Sequence, residues 1–178
     1  MIEPFRVPIV LYPEIRQSLH GELRHEACCI RIPVSLLGSK RKAIPALDQL
    51  FWRLLALEGQ RELTEHTRQL NQSFYQFEFS SVRYRRQFRR WGSCSTRRNI
   101  NLSHRLIGAP PRLRDYVILH ELAHLKHMNH QAHFWFLLQE ALPDYRERRK
   151  EIHSYSRAWH EEYRDWLEHL IRLLHATA

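Results

Sequence analysis

Apolar residues in the first 38 positions come in short runs separated by prolines. Prolines stand at positions 4, 8, 13 and 33, and the run from Ala27 to Ile32 is rich in apolar side chains. Proline cannot donate to a sheet ladder, so it is confined to strand ends, edges and loops. This pattern predicts strands and loops in residues 1–38.

A helical spacing of apolar residues begins at Pro45. They recur three and four positions apart, at Leu47, Leu50, Phe51, Leu54 and Leu55. Proline is tolerated in the first turn of a helix, and glycine commonly marks the end of one. The spacing predicts a helix from Pro45 to Gly59 and a second, more polar helix over residues 61–72.

The middle of the chain changes to a strand-like pattern. Residues 77–90 are rich in aromatic residues and arginine with alternating character, which predicts a strand. Residues 90–94 and 99–103 flank the polar segment 95–98, as expected for a β-hairpin. The prolines at 110 and 111 then end this part of the chain.

A helix with two unlike faces follows Pro111. At about 100° per residue, Ile118, Leu122 and Leu125 lie opposite His120, His124 and His127. The apolar face is therefore expected to pack against the core, and the histidine face to lie in polar surroundings. Asn129 is a plausible end of this helix. A further helix is predicted over residues 134–142, with a break at Pro143.

From Asp144 onward the chain contains no proline or glycine. Apolar residues recur there at spacings of three and four, at Ile152, Tyr155, Trp159, Tyr163, Trp166, Leu170 and Leu173. This predicts a long amphipathic C-terminal helix whose aromatic stripe must be buried. Packing on the helix that begins at Pro45 is favoured over a homodimer seam, so we expect a monomer.

Composition narrows the class of protein. A chain of 178 residues with 43 % hydrophobic residues is expected to form a single domain over residues 1–178. Three cysteines cannot build a disulfide framework, and no leader pattern opens the sequence, so a cytoplasmic location is expected. The longest purely apolar run, residues 134–138, is far too short for a membrane span, so no membrane partner is expected.

Histidine is the residue type that points to chemistry. Residues 120–124 read His-Glu-Leu-Ala-His, the HExxH pattern. Residues four apart on a helix project from the same face, so the two imidazoles can share one metal ion. Glu121 is turned aside by about 100° and can serve as general base toward a zinc-activated water. The pattern predicts a Zn²⁺ site with His120 and His124 as ligands and Glu121 as the catalytic residue.

A catalytic zinc ion usually has three protein ligands, so a third is expected nearby. His127 lies on the same face but about 10.5 Å along the axis from His120, which favours an outer or capping role. His130 follows Asn129, which tolerates the left-handed turn that would bring the chain back toward the metal. We favour His130 as the third ligand, with His133 as the alternative.

Several blocks of the chain, in order, resemble the YgjP-like metallopeptidases, relatives of the WLM and SprT-like zinc proteases. The blocks lie between residues 83 and 150: residues 90–95, 99–102, 109–111, 115–117, 120–130, 134–135, 142–145 and 147–149. The resemblance implies an α+β, zincin-like fold, with a small antiparallel sheet packed against the HExxH helix. It implies His120, His124 and His130 as ligands and Glu121 as general base.

The resemblance also divides the chain into three parts. Residues 1–75 match poorly, residues 83–150 form the zincin-like catalytic core, and residues 151–178 form a helical extension. Arg98 stands where a turn glycine is common in the family. The likeness favours a metallopeptidase that acts on peptides or proteins, with Arg90, Trp91, Gly92 and Ser93 aligning an extended substrate by backbone pairing.

An arginine cluster leaves two other functions open. Seven arginines lie between residues 83 and 98, and the net charge of the chain is +9. Guanidinium groups bind phosphate well, so the same metal could serve phosphoanhydride hydrolysis of a nucleotide. The third hypothesis is a nucleic-acid-associated protease, or a module that binds nucleic acid around a structural metal. A solvated strand face is the simplest interpretation of these arginines.

Overall fold

The protein is described here by a computed structural model covering residues 8–15, 18–24 and 27–177. Its helices and strands make it an α+β protein with a long C-terminal helix, as predicted. The chain divides into two compact units, residues 1–57 with 158–178 and residues 58–157. The single domain over residues 1–178 stays a prediction.

The first unit contains a three-stranded sheet among its described residues. Its strands are β1 (Ile9–Glu14), β2 (His20–Arg24) and β3 (Ala27–Pro33), in the order β1-β3-β2. β1 is parallel to β3, and β2 is antiparallel to it. Strands are confirmed in the described part of residues 1–38, whereas residues 1–7, 16–17 and 25–26 lie outside the described residues. A short helix, α1 (Val34–Leu37), follows them.

Aromatic packing in the first unit buries the two tryptophans of the stripe on the C-terminal helix. This helix is α5 (Tyr145–Thr177), and the first unit contains its residues from 158 onward together with residues 40–57 of α2 (Lys40–Phe74). Trp159 is fully buried with its ring 5.6 Å from that of Trp52, and Trp166 lies 4.6 Å from Phe51. The predicted packing on the Pro45 helix is confirmed, whereas the monomeric state stays a prediction.

A second three-stranded sheet lies in residues 58–157. It contains β4 (Ser81–Arg85), β5 (Gly92–Cys94) and β6 (Asn99–Ser103), in the order β4-β6-β5. β5 and β6 form the predicted antiparallel hairpin. β4 runs parallel to β6, so the sheet is mixed rather than wholly antiparallel. The sheet packs against the HExxH helix, α3 (Pro111–Ala123), through β5 and β6.

Arg98 takes up the backbone conformation for which glycine is usual. Its φ of 59° closes the hairpin turn, in which the Arg98 amide donates to the Ser95 carbonyl at 2.8 Å. A residue with a Cβ is strained in this region by roughly 1–2 kcal/mol. The Arg98 Nε donates to the Glu78 carbonyl at 2.7 Å and offsets part of that cost.

Two helix ends were predicted wrongly. Gly59 does not end a helix, because α2 continues through it to Phe74. Glycine costs only about 1 kcal/mol inside a helix relative to alanine, and strong helix formers flank it. α3 ends at Ala123 rather than near Asn129. Just after Ala123, the amides of Leu125 and Lys126 donate to the carbonyls three residues before them, which tightens the chain out of the α-helical pattern. The next helix, α4 (Ala132–Ala141), lies close to its predicted place.

The strand predicted over residues 77–90 is reduced to β4. Before it, the Asn71 side chain bonds both the amide and the carbonyl of Phe77, so these groups are not available to a sheet. After it, Ser103 donates to the Gln87 carbonyl and Arg105 to the Phe88 carbonyl. Side chains thus replace ladder partners on both sides. No helix of the described chain combines the length and apolar character of a membrane span.

Candidate metal centre

Helix α3 brings two of the three candidate ligands together. Although α3 ends at Ala123, His124 keeps helical dihedral angles (φ −65°, ψ −19°) as its C-cap. The four-residue spacing therefore still places His120 and His124 on one face, with their ring centroids 5.0 Å apart.

His130 reaches the same point from the loop before α4. Its ring centroid lies 5.0 Å from that of His120 and 4.7 Å from that of His124. The Nε2 atoms of His120 and His130 are 3.0 Å apart, and the three imidazoles offer nitrogens all within 4.8 Å of one another. Two nitrogens bound to one tetrahedral zinc ion lie about 3.3 Å apart, so this donor set fits such an ion.

The surroundings of the three imidazoles hold them in place. Phe134 lies against all three rings, with centroid distances of 4.9, 4.6 and 4.7 Å to His120, His124 and His130. Trp135 Nε1 donates to the His130 carbonyl at 2.9 Å. His124 Nδ1 bonds the His127 carbonyl at 3.0 Å, which leaves its Nε2 free to face the group.

Burial keeps these imidazoles in the neutral form that binds metals. Burial lowers the pKa of His120 to about 3, and electrostatic repulsion from the neighbouring His124 and His130 acts in the same direction. Burial also lowers the pKa of His124 and that of His130. His120 Nδ1 is buried without a hydrogen-bond partner among the described residues, whereas its Nε2 faces His130 Nε2 at 3.0 Å, so Nε2 is the nitrogen that His120 offers to a metal.

The other two histidine candidates lie outside this group. The rings of His127 and His133 are 6.0 Å from each other, and neither belongs to the cluster that the described residues form. His127 meets the site through its backbone carbonyl, which holds His124. Among the described residues, the His127 imidazole is not part of the histidine cluster, so His127 supports the site through its main chain.

Glu121 is buried beside the histidines, against the backbone of β5. Its side chain is 6 % exposed. A Cβ added to Gly92 would lie 2.6 Å from both Cγ and Oε1 of Glu121, so the absence of a side chain at Gly92 creates the space that holds the carboxyl group. Burial raises the pKa of Glu121 to about 8, and the Arg90 guanidinium acts in the opposite direction.

Gly92→Ala is expected to displace the Glu121 carboxyl group without unfolding the protein, because the colliding atoms belong to a flexible side chain. Misplacing a catalytic group by about 1 Å can cost roughly 100-fold in rate. Since Glu121 is predicted to be the general base, we expect a loss of that size in kcat with metal content unchanged. Gly38→Ala is the matched control, because its Cβ would meet nothing within 4 Å. Equal activity of the two variants would contradict this role of Gly92.

A cavity of about 360 Å³ opens beside the histidines and Glu121. Of the substrate-binding residues predicted from the sequence, Trp91 and Gly92 line it, whereas Arg90 and Ser93 do not. Ser93 accepts a weak hydrogen bond from Asn101 Nδ2 at 3.5 Å. Tyr116 also lines the cavity.

Trp135, Arg149 and His153 also line this cavity, and the sequence assigned none of them a role in the site. Arg149 places its guanidinium group at the cavity. The arginines between residues 83 and 98, which the sequence singled out, are exposed on and around the sheet and do not line the cavity. A signal was present in the sequence, because Arg149 and His153 are four apart on a predicted helix. Their distance from the HExxH motif along the chain concealed it.

Arg105 is a further residue that the sequence did not single out. It is 2 % exposed, and its guanidinium lies 3.8 Å from the Trp91 ring centroid. It donates to the Phe88 carbonyl at 2.7 Å and to Ser156 Oγ at 2.6 Å. Arg105 therefore holds the segment that leads into β5, including the tryptophan that forms one wall of the cavity.

Comparison with known proteins supports a metallopeptidase domain. The model of the family described as "YgjP-like, metallopeptidase domain" matches residues 13–155. Among solved structures, the crystal structure of the metallopeptidase zymogen of Pyrococcus abyssi abylysin is similar, with 23 % sequence identity and a TM-score of 0.45. That similarity covers 53 % of this chain and 92 % of the abylysin chain. None of the curated proteins matches the chain.

Proposed function

The chain belongs to the YgjP-like metallopeptidase family, and from this we propose that it is a zinc-dependent peptidase with His120, His124 and His130 as ligands and Glu121 as general base. The observation that carries the proposal is the convergence of three neutral imidazoles, with nitrogens all within 4.8 Å of one another, beside a buried glutamate. A cytoplasmic location belongs to the same proposal.

The donor set suits zinc in a catalytic rather than a closed structural site. Imidazole nitrogen is a common zinc donor, and three protein ligands leave one position for water or substrate. A bound zinc ion supplies Lewis acidity toward a carbonyl oxygen and lowers the pKa of water. Phe134 and Trp135 keep the three donors oriented toward one point.

Glu121 is the group that moves the proton. Burial raises the pKa of the Glu121 carboxyl group, and a raised pKa makes a carboxylate a stronger proton acceptor. Glu121 accepts a proton from the attacking water and returns it to the leaving amine. Gly92 keeps the carboxyl group at the wall of the cavity during both steps.

Strand β5 offers a place for an extended peptide. It is an edge strand of its sheet and lies against α3, so its free backbone groups run past the metal centre. A peptide can pair with such an edge through main-chain hydrogen bonds. We assign Arg90, Trp91, Gly92 and Ser93 to this alignment, with Trp91 and Gly92 as the two that line the cavity.

Arg149 supports a second candidate function. Its side chain lines the cavity together with His120 and His130, where a guanidinium could neutralise phosphate. The second candidate is therefore a metal-dependent phosphoanhydride hydrolase acting on nucleotides. The sequence supported this function through the arginines of residues 83–98. These arginines do not line the cavity, so that support is weakened.

One comparison of substrates tests the proposal. Protein stripped of metal and then reloaded with zinc is incubated with unfolded protein substrates, with a peptide library and with a panel of nucleoside triphosphates. We expect peptide cleavage that requires zinc and no phosphate release. Zinc-dependent release of phosphate or pyrophosphate without peptide cleavage would replace the peptidase proposal with the second candidate.

A further inference from the structure

A second cavity, of about 730 Å³, adjoins the metal cavity and shares Trp135, Arg149 and His153 with it. We infer that this basic groove binds acidic side chains of the substrate, so that the peptidase acts on polypeptides with an acidic segment beside the cleaved bond. The inference rests on the proposed function and names its substrate class. We define the basic groove by its lining residues, Trp135, Tyr145, Arg146, Arg149, Lys150, His153, Ser154 and Arg157.

The charge of the basic groove comes from one face of α5. Arg146, Lys150, His153 and Arg157 stand at intervals of four, three and four residues, Arg149 precedes His153 by four, and all five are exposed. Residues at such intervals lie along one side of a helix. Four permanent cations therefore form a row that begins at the metal cavity, where Arg149 lines both spaces.

The carboxylates at the start of α5, and Asp144 just before it, are engaged elsewhere or do not line the groove. Glu151 pairs with Arg112 at 2.6 Å, and Asp144 pairs with Arg148 at 2.9 Å. Glu147 is exposed and does not line the groove. Among the described residues, no carboxylate makes an ion pair with the four cations of the groove. Their charge is available to a ligand.

The dimensions of the row fit an extended peptide. Residues 146 and 157 are separated by about 16 Å along a helix, at about 1.5 Å per residue. An extended chain covers that distance with about five residues, at about 3.3 Å each. Because Arg149 lines both spaces, a peptide bound in the metal cavity can extend into the groove and place several acidic side chains against the row.

The aromatic residues of the groove argue against nucleic acid as the ligand. The Trp135 ring is stacked on Tyr145, with centroids 5.5 Å apart and planes at 18°, and it is stacked on His130 at 5.4 Å. The Arg149 guanidinium lies 4.8 Å from the same ring. Single-stranded nucleic acid depends on exposed ring faces for base stacking, and the faces of Trp135 are engaged. An acidic peptide can bind through ion pairs with the cations and does not require an exposed aromatic face.

The test uses two matched peptides and two matched variants. The zinc-loaded Glu121→Gln protein is titrated with a labelled peptide containing five consecutive acidic residues and with its Asn/Gln counterpart, read out by fluorescence anisotropy. The groove variant is Lys150→Gln with Arg157→Gln. The control is Arg83→Gln with Arg85→Gln, which removes the same charge from exposed positions on β4, the opposite edge of the sheet from β5.

We expect the acidic peptide to bind at least about tenfold more tightly than its neutral counterpart, since charge-assisted hydrogen bonds are stronger than neutral ones. The groove variant should lose this preference and the control should keep it. Equal affinity for the two peptides, or an equal loss in both variants, would overturn the inference. So would an unlabelled oligonucleotide of equal charge that competes better than the unlabelled acidic peptide.

Measuring kcat/KM of the wild-type protein on the same peptides separates the two proposals. Preferential cleavage of the acidic peptide supports both. Preferential binding without any cleavage would leave the basic groove assigned and would remove the peptidase. Cleavage of both peptides at the same kcat/KM would keep the peptidase and overturn the acidic preference.

Discussion

Replacing Glu121 by glutamine is expected to lower kcat for peptide hydrolysis by about 1000-fold, within the usual contribution of a general base. Glutamine has the same size, so it fits the space that Gly92 leaves against β5. It cannot accept the proton from water. Zinc stoichiometry and the melting temperature should stay close to those of the wild-type protein, because the three histidines are untouched.

Glu140→Gln provides the control for this variant. Glu140 is an exposed glutamate on α4, so the substitution makes the same chemical change outside the cavity. It should leave turnover at the wild-type level. Unchanged turnover in Glu121→Gln, measured with equal zinc content, would remove Glu121 from the mechanism.

Replacing His130 by alanine is expected to weaken zinc binding as severely as replacing His120 or His124. Each substitution removes one of three donors, and the loss should exceed the roughly 10- to 100-fold that removal of an outer partner costs. His133→Ala should retain zinc, because its ring lies outside the cluster. His127→Ala should also retain it, since the contact to His124 comes from the main-chain carbonyl, which alanine preserves.

Zinc affinity measured by competition with a chromogenic chelator distinguishes these variants. We expect a large loss of zinc affinity for His130→Ala and a small one for His127→Ala and His133→Ala. Full zinc retention by His130→Ala, together with loss in His133→Ala, would make His133 the third ligand.

The parts of the site that depend on local spacing were predictable from the sequence. His120, Glu121 and His124 lie within one helical turn, so the period of the helix alone determines that the two rings share a face and that the glutamate is turned aside. The long C-terminal helix and its aromatic stripe follow from the same kind of pattern. The hairpin of β5 and β6 was evident from its short polar turn.

The parts that depend on distant contacts were not predictable in this way. Gly92 matters because Glu121, 29 positions away, packs against its backbone, and nothing in the local sequence indicates that contact. Arg149 reaches the cavity from a different helix. Helix α3 ends early at the point where His124 Nδ1 bonds the His127 carbonyl. This side-chain bond competes with continuation of the helix, and helix propensity does not describe such a competition. The parallel pairing of β4 with β6 likewise joins segments separated by a hairpin strand.

The most direct measurement of the central claim is peptide hydrolysis in water enriched in ¹⁸O, with the new carboxyl termini identified by mass spectrometry. Zinc-loaded wild-type protein should produce termini that carry the heavy oxygen. Glu121→Gln and His130→Ala should produce none above background. Equal amounts of labelled termini from the wild type and from both variants would contradict the assignment of this site as a zinc peptidase.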